Sequence, residues 1–250
     1  MIHISHNQLV KLKDRFLPER PGPLVEMHII NTGHGECFVD RWPDAGTILT
    51  HASDTFSLVG DADTLEPKDL KDKIRGLVTA PESYRSLLTK TFPDLKIWNR
   101  IIFELAAPTT KYVSSHKNVR RLTAIDAEAL ANLSAEISWI SNTWGGPRGL
   151  VNSGFAWGAY VGQRLVSVAC TFYVGENYED IGVVTESAYR RKGLSIACAG
   201  SLCKDIFKRG RKPSWTTSPD NPASMRVAEK LGFCVARQDV LYVVGMPIPG

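Results

Sequence analysis

Between residues 186 and 212 the chain carries eight Lys/Arg (190, 191, 192, 204, 208, 209, 211 and 212) against two acids, Glu186 and Asp205. Three of these cations are consecutive, Arg190-Arg191-Lys192, and run straight into Gly193, Leu194 and Ser195. The residues before them, Val183-Val184-Thr185, form a β-branched run. The residues after them place Ala199, Leu202, Cys203, Ile206 and Phe207 on one helical stripe. A strand feeding a basic loop that opens a helix is a device for holding phosphate, because the first N–H groups of a helix have no internal partner and the helix dipole favours negative charge there. Gly193 lets a backbone approach an anion closely, and Ser195 is small enough to allow the same while adding a hydroxyl. The loop is neither a GxxxxGK[ST] phosphate loop nor a three-glycine dinucleotide fingerprint.

Two carboxylates stand at the start of the delivering strand, Glu179 and Asp180, and a third, Glu186, lies on the loop. Strand alternation sends Glu179 and Asp180 to opposite faces. Each of the three is a candidate general base, with Asp180 placed slightly ahead of Glu179. Ser224, Tyr242, Tyr173 and water are candidate proton donors. Downstream, Asn221 reads as a helix N-cap with Pro222 at the first helical position, and the short helix stops at Gly232-Phe233.

The elements that must position these groups follow from punctuation and periodicity. Residues 119–122 read as a short strand. A helix capped by Asp126 is expected to run to about residue 141, followed by a glycine-rich corner at 145–149. Strands at 155–161 and 165–172 precede the strand that ends at Thr185. The helix from Gly193 ends near Arg209, a strand covers 213–217, a short helix 223–231, and a last strand or hairpin 233–244, with a polar break at 237–239. This second half reads β-α-β-β-β-α-β-α-β. In the first half, segments 24–30, 37–40, 47–50, 55–60 and 95–105 read as strands. Residues 67–77 and 83–92 read as helices, and the first 22 residues open with a helix-like segment. Residues 106–118 are polar and contain a proline, so the domain boundary is placed at 112/113, giving domains 1–112 and 113–250.

Arg190-Arg191-Lys192-Gly193-Leu194-Ser195, followed by Asn221-Pro222-Ala223-Ser224 and Glu229-Lys230-Leu231-Gly232-Phe233, resembles the GNAT superfamily of N-acetyltransferases over residues 119–244. The first half resembles the degenerate leading domain of two-domain members such as the zwittermicin-resistance and glycine-acyltransferase types. The resemblance implies an α+β fold: a mixed, mainly antiparallel sheet flanked by helices, preceded by a second, degenerate α+β domain of the same kind on the acceptor side. It also implies acetyl-CoA as co-substrate and transfer of an acetyl group to a primary amine of a small molecule by direct attack in a ternary complex. Backbone groups of Val183, Val184 and Thr185 would pair with the pantetheine amides. Arg190, Arg191, Lys192, Gly193, Leu194 and Ser195 would hold the pyrophosphate, and Asn221 and Ser224 would lie near the thioester. The tyrosine that the family often carries four residues after that serine is Ala228 here, which leaves open a non-catalytic acyl-CoA-binding or regulatory module.

The bulk properties fit a globular protein with a real core: 250 residues, 43% hydrophobic, 22% charged, net charge +4. No run has the apolar length of a membrane span and the N-terminus is not a secretory signal, so a cytoplasmic location without membrane partners is expected. The five cysteines (37, 170, 198, 203 and 234) lack ligand spacing and read as reduced, mostly buried thiols, and no metal site is expected. The basic residues cluster at one loop without interleaved aromatics, which argues against nucleic acid. A monomer or homodimer is expected.

Overall fold

A computed structural model describes residues 1–108 and 118–249. The expected boundary at 112/113 lies outside the described residues. Close contacts divide the chain into a first unit of Met1–Pro18, Val25–Arg100 and Gln238–Gly250, and a second of Glu19–Leu24 and Ile101–Arg237.

The first unit is built from strands β1 (Ile2–Ile4), β2 (Glu36–Val39), β3 (Thr47–Ala52), β4 (Thr55–Gly60) and β5 (Gly76–Thr79), with helices α1 (His6–Val10), α2 (Val25–Thr32), α3 (Pro67–Leu70) and α4 (Arg85–Thr91). β1, β2, β3 and β4 pair antiparallel in order, and β4 pairs β5 parallel from Thr55↔Leu77 to Ser57↔Thr79. Leu49, Phe56, Leu58, Leu70, Tyr84 and Leu88 fill the core of this unit. The segment expected as a strand at 24–30 is helix α2. Val25, Met27, His28 and Ile29 are buried, with Val25, His28 and Ile29 forming an i, i+3, i+4 set, while Ile30 is half-buried and Asn31 exposed. A short apolar run supports either period, and packing selected the helical one. The helix expected over 67–77 is only α3, and its expected end, Leu77, lies in β5.

The second unit contains the end of β6 (Lys96–Glu104), then β7 (Val119–Arg121), α5 (Ala127–Ala131), α6 (Pro147–Ser153), β8 (Ala156–Val161), β9 (Arg164–Val174), β10 (Tyr178–Thr185), α7 (Leu194–Lys208), β11 (Lys212–Thr217), α8 (Pro222–Leu231) and the start of β12 (Cys234–Val244). β7, β8, β9 and β10 pair antiparallel in order, and β10 pairs β11 parallel. α7 packs Leu194, Cys198, Leu202 and Ile206 on one face of this sheet, with Trp215 and Phe233. The other face is covered by Leu122, Leu130, Ile137, Ile140 and Trp144. The single helix expected from 126 to 141 is broken. Thr123 and Asp126 form a reciprocal capping box, α5 lasts five residues, and Ser138–Trp144 is a 3-10 segment. At the expected corner lies α6, which has Pro147 at its first turn and Gly154 at its end, the pattern that marks a short helix. The break expected at 237–239 is absent, because β12 is one continuous strand.

The two units repeat one plan: three antiparallel contacts, one parallel contact, and a closing antiparallel strand. In the first unit the closing strand is β12, with Tyr242↔Val78; in the second it is β6, with Trp215↔Phe103. Each half of the sequence thus supplies the strand that closes the other half's set. The mixed, mainly antiparallel sheet flanked by helices is the fold class that the sequence implied.

Fragments cut at 112/113 would each lack their closing strand. Expressed separately, 1–112 and 113–250 are expected to show no cooperative melting by circular dichroism. Two fragments that each melt like the full chain would show the exchange to be dispensable. Four of the five cysteines are buried and only Cys234 is exposed. Burial pushes the thiols of Cys37 and Cys198 up to about 12. A thiol reagent should therefore titrate one cysteine in the native protein and five after denaturation.

Candidate active site

The parallel contact of β10 with β11 is short. It runs from Tyr178↔Lys212 through Glu179↔Pro213 to Asp180↔Ser214 and stops there, although β10 continues to Thr185 and β11 to Thr217. At the same level the register of β10 with β9 shifts between Asp180 and Ile181, with Phe172 of β9 as the extra residue. A bulge bends a strand and increases its local twist. From Ile181 onward β10 stays paired with β9, while β11 stays paired with β6. The two strands therefore part, and each has one edge open to the gap.

The direction of the β10 amides follows from its last ladder bond, Glu186 N–H to Val166 O at 2.9 Å. Counting back by the two-residue period turns Val184 and Gly182 toward β9 and leaves the N–H and C=O groups of Val183 and Thr185 facing the gap. Of the three predicted backbone positions, Val183 and Thr185 are thus available, while the main-chain groups of Val184 are directed to β9.

Beyond Thr185 the loop turns through a 3-10 segment, Ser187–Tyr189, to Arg190, Arg191 and Lys192, all exposed. Arg190 Nε donates to Thr185 O at 3.4 Å and Lys192 lies 5.0 Å from the Tyr189 ring centroid. None of the three cations forms an ion pair among the described residues. Gly193 is the N-cap of α7 at φ +77, in the left-handed region, and no side chain caps this helix. A Cβ built on Gly193 meets nothing within 4 Å. The 15-residue α7 therefore presents its first-turn amides, including those of Leu194 and Ser195, to an open, cation-rimmed space. That arrangement fits a pyrophosphate. The corresponding stretch of the first unit, after β4, is its chemical opposite. Asp61 caps the turn at 62–64, and Glu66 and Asp69 form the capping box of α3, so carboxylates of the chain itself fill those positions.

The three carboxylates have separate situations. Glu179 is fully buried and saturated: Arg209 donates to Oε1 at 2.8 Å and to Oε2 at 2.7 Å, Arg211 donates to Oε1 at 3.3 Å, and Thr171 Oγ1 also donates to it. It pins the C-terminal end of α7 to β9 and β10 just below the fork. With two guanidinium groups on its lone pairs it cannot serve as the base, which corrects that expectation. Glu186 is also buried, accepts the Ser134 N–H at 3.0 Å and pairs with Arg164 at 3.6 Å, holding the segment after α5 to the end of β10. Asp180 stands at the fork itself. Its Oδ1 accepts from Ser214 Oγ at 2.8 Å and Thr216 Oγ1 at 3.1 Å.

On the opposite face, Trp215 Nε1 donates to Ser224 Oγ at 2.9 Å, and Asn221 caps α8 by accepting the Ser224 N–H at 3.0 Å. Ser224 keeps its own proton available to a further acceptor. Tyr242 belongs to the first unit, where its hydroxyl donates to Glu82 Oε2 at 3.4 Å. Ala228 is wholly buried in the core under α7 and α8. Among the described residues no cluster of His, Cys, Asp and Glu could hold a metal ion, and no helix is long and apolar enough to cross a membrane.

A family model described as GNAT acetyltransferase matches residues 20–242. This chain belongs to the GNAT acetyltransferase family. An uncharacterised N-acetyltransferase of Streptomyces virginiae is 34% identical over 227 residues, covering 89% of this chain and 96% of the relative. Among solved structures, a GCN5-related N-acetyltransferase-like protein from Streptococcus suis superposes with a TM-score of 0.72 at 16% identity, covering 96% of this chain and 99% of that one. A tandem GNAT protein from the clavulanic acid biosynthesis pathway superposes with a TM-score of 0.60 at 12% identity, covering 96% of each chain. These two likenesses show the fold. In this GNAT chain the basic loop, the uncapped α7 and the fork all lie in the second unit.

The role of Glu179 can be checked by stability. Glu179→Ala strands Arg209 and Arg211 beside a buried cavity and should cost about 3–5 kcal/mol in urea unfolding. A variant that keeps wild-type stability while losing activity would return Glu179 to the list of bases.

Proposed function

We propose that the second unit is an acetyl-CoA-dependent N-acetyltransferase that acetylates a primary amine of a small molecule by direct attack in a ternary complex. The single observation that carries this reading is the parting of β10 from β11 at Asp180, directly upstream of an uncapped, cation-rimmed helix start. Acetyl-CoA supplies a thioester carbonyl to the fork. The chain's own groups do the rest. First-turn amides of α7, with Arg190, Arg191 and Lys192 at the rim, hold the pyrophosphate. Val183 and Thr185 offer N–H and C=O groups to the pantetheine amides as a partner strand would.

An ammonium must lose its proton before it can attack. Asp180 is the one of the three carboxylates at the fork, and the hydroxyls of Ser214 and Thr216 fix its orientation. Ser224, on the other side of the gap, is held by Trp215 and Asn221 with its proton free to move to the leaving thiolate. Positioning accounts for a large share of such a reaction, so a chain with Ala228 in place of a tyrosine retains the means for turnover. Ala228 also favours a second reading, a module that binds acyl-CoA without turnover.

One set of measurements separates the two. Acetyl-CoA at about 100 times its Kd should raise the melting temperature by about 5–10 °C, and pooled primary amines should release free CoA thiol. Asp180→Asn should keep the thermal shift and lose about 100-fold or more in kcat. Gly193→Asp should lose the shift, while Gly193→Ala, which carries only the strain of the left-handed backbone, should keep most of it. A thermal shift without CoA release from any amine supports the non-catalytic module. Absence of a shift removes both readings.

A further inference from the structure

Residues 19–24 belong to the second unit although the chain on both sides of them belongs to the first. Glu19 anchors this strap. The Glu176 N–H donates to its Oε2 at 2.7 Å, and the Asn177 and Tyr178 N–H groups donate to its Oε1 at 3.0 and 2.7 Å. Three consecutive amides that converge on one point form an anion nest. The turn between β9 and β10 fills its nest with a carboxylate from 157 to 159 positions away. Gly175 permits the approach, because a Cβ there would collide with the Glu19 carboxylate. Its φ lies outside the left-handed region, so an alanine would meet that collision rather than backbone strain. The carbonyls of the same turn are taken up by β11 and the residue before it: the Lys212 N–H donates to Asn177 O at 2.8 Å and Arg211 Nε to Glu176 O at 3.3 Å.

The strap continues onto the face that carries Asp180. Ser214 and Thr216 turn their hydroxyls to Asp180, and their cross-strand partners on β6, Glu104 and Ile102, share that face. Glu104 accepts from Lys212 Nζ at 3.2 Å and from the Tyr178 hydroxyl at 3.4 Å. A Cβ on Gly22 would come within 3.3 Å of Ile102 Cδ1, so the Gly22 backbone lies against Ile102, and Arg237 donates to Pro21 O. On the other side of Asp180 stands its cross-strand partner Tyr173. The strap therefore borders the Asp180 face from the turn that ends at Tyr178 to the level of Thr216.

We infer that Glu19 is a positioning residue for acetyl transfer: by holding the turn at 175–178 it sets where Asp180 stands at the fork, and by holding the strap it forms the border of the acceptor side. This rests on the acetyltransferase reading of the same site. Tyr178, whose amide Glu19 accepts, is the first paired residue of the short parallel contact, and Asp180 is the last. A shift of the turn therefore reaches Asp180 through two residues of one strand. The groups assigned to acetyl-CoA begin at Val183, beyond the fork, whereas the turn lies before it. Loss of Glu19 disturbs the acceptor and its proton transfer and spares the co-substrate.

The test uses the full chain and the primary amine of the pool that gives the fastest CoA release, at a temperature below the melting transition of every variant. Glu19→Ala should lower kcat by about tenfold or more and raise KM for the amine, since a misplacement of about 1 Å costs up to about 100-fold. KM for acetyl-CoA and the thermal shift that acetyl-CoA produces should stay at wild-type values. Glu19→Gln, whose one carbonyl oxygen serves the Asn177 and Tyr178 amides but not that of Glu176, should fall between wild type and Glu19→Ala. Gly175→Ala should reproduce the Glu19→Ala kinetics by expelling the carboxylate, and should add nothing further in the Glu19→Ala background. Wild-type kcat and amine KM in Glu19→Ala, additive effects of the two substitutions, or an equal rise in KM for acetyl-CoA would show Glu19 to be merely structural. Any of these overturns the positioning role and leaves the acetyltransferase reading standing. CoA release from no amine at all overturns both.

Discussion

The parting of β10 from β11 is the constraint on which the rest of the second unit depends. Two parallel strands that separate after three paired residues leave backbone donors and acceptors unsatisfied on both edges, which a compact fold tolerates only where another partner takes them up. The bulge at Phe172 of β9 lies at the level where they separate. The Glu179 cluster lies immediately below it: two arginines and a threonine converge on one buried carboxylate and lock α7 to the strands. The fork is therefore rigid at its base and open above. The pleat of β10 separates the two acids, because adjacent residues of one strand face opposite ways, one into the arginine clamp and one toward Ser214 and Thr216.

Electrostatics distinguishes the two repeated units more than topology does. Both have a strand that leaves a parallel partner and runs into a turn. In the first unit that turn is filled by Asp61, Glu66 and Asp69, which satisfy local amides themselves. In the second, the turn is cationic and its helix start carries no side-chain cap. One plan thus yields one unit whose turn is capped by its own carboxylates and one whose turn is cationic with an uncapped helix start. The exchange of closing strands, β12 for the first unit and β6 for the second, means that neither half of the sequence contains a complete copy of the plan.

Most of the second unit was legible in the sequence because its signals are local. The helical stripe 199–207, the Asn221-Pro222 start of α8 and the basic run 190–192 each depend on residues within a few positions of one another. α6 was legible too, in Gly146-Pro147 and Gly154, although the segment was read as a corner. Elsewhere the local signal was ambiguous or absent. Residues 24–30 fit both periods, and only the packing of Val25, His28 and Ile29 selected a helix. Beyond the break after α5, Ser134 donates to Glu186, a contact spanning 52 positions that no local pattern shows. Glu179 and Asp180 looked equivalent as bases, because the arginines that disqualify one of them are 30 and 32 residues away.

The sequence by itself determined the strand, basic loop and helix start of residues 183–195, since these elements are contiguous and need no distant partner to form. It also determined that two neighbouring acids would face opposite ways. Only the tertiary structure decided which of them enters the arginine clamp and which backbone amides stay unpaired. Those properties depend on where a parallel ladder stops and which distant side chains saturate a carboxylate. Both are pairings across the fold that no local pattern of residues encodes.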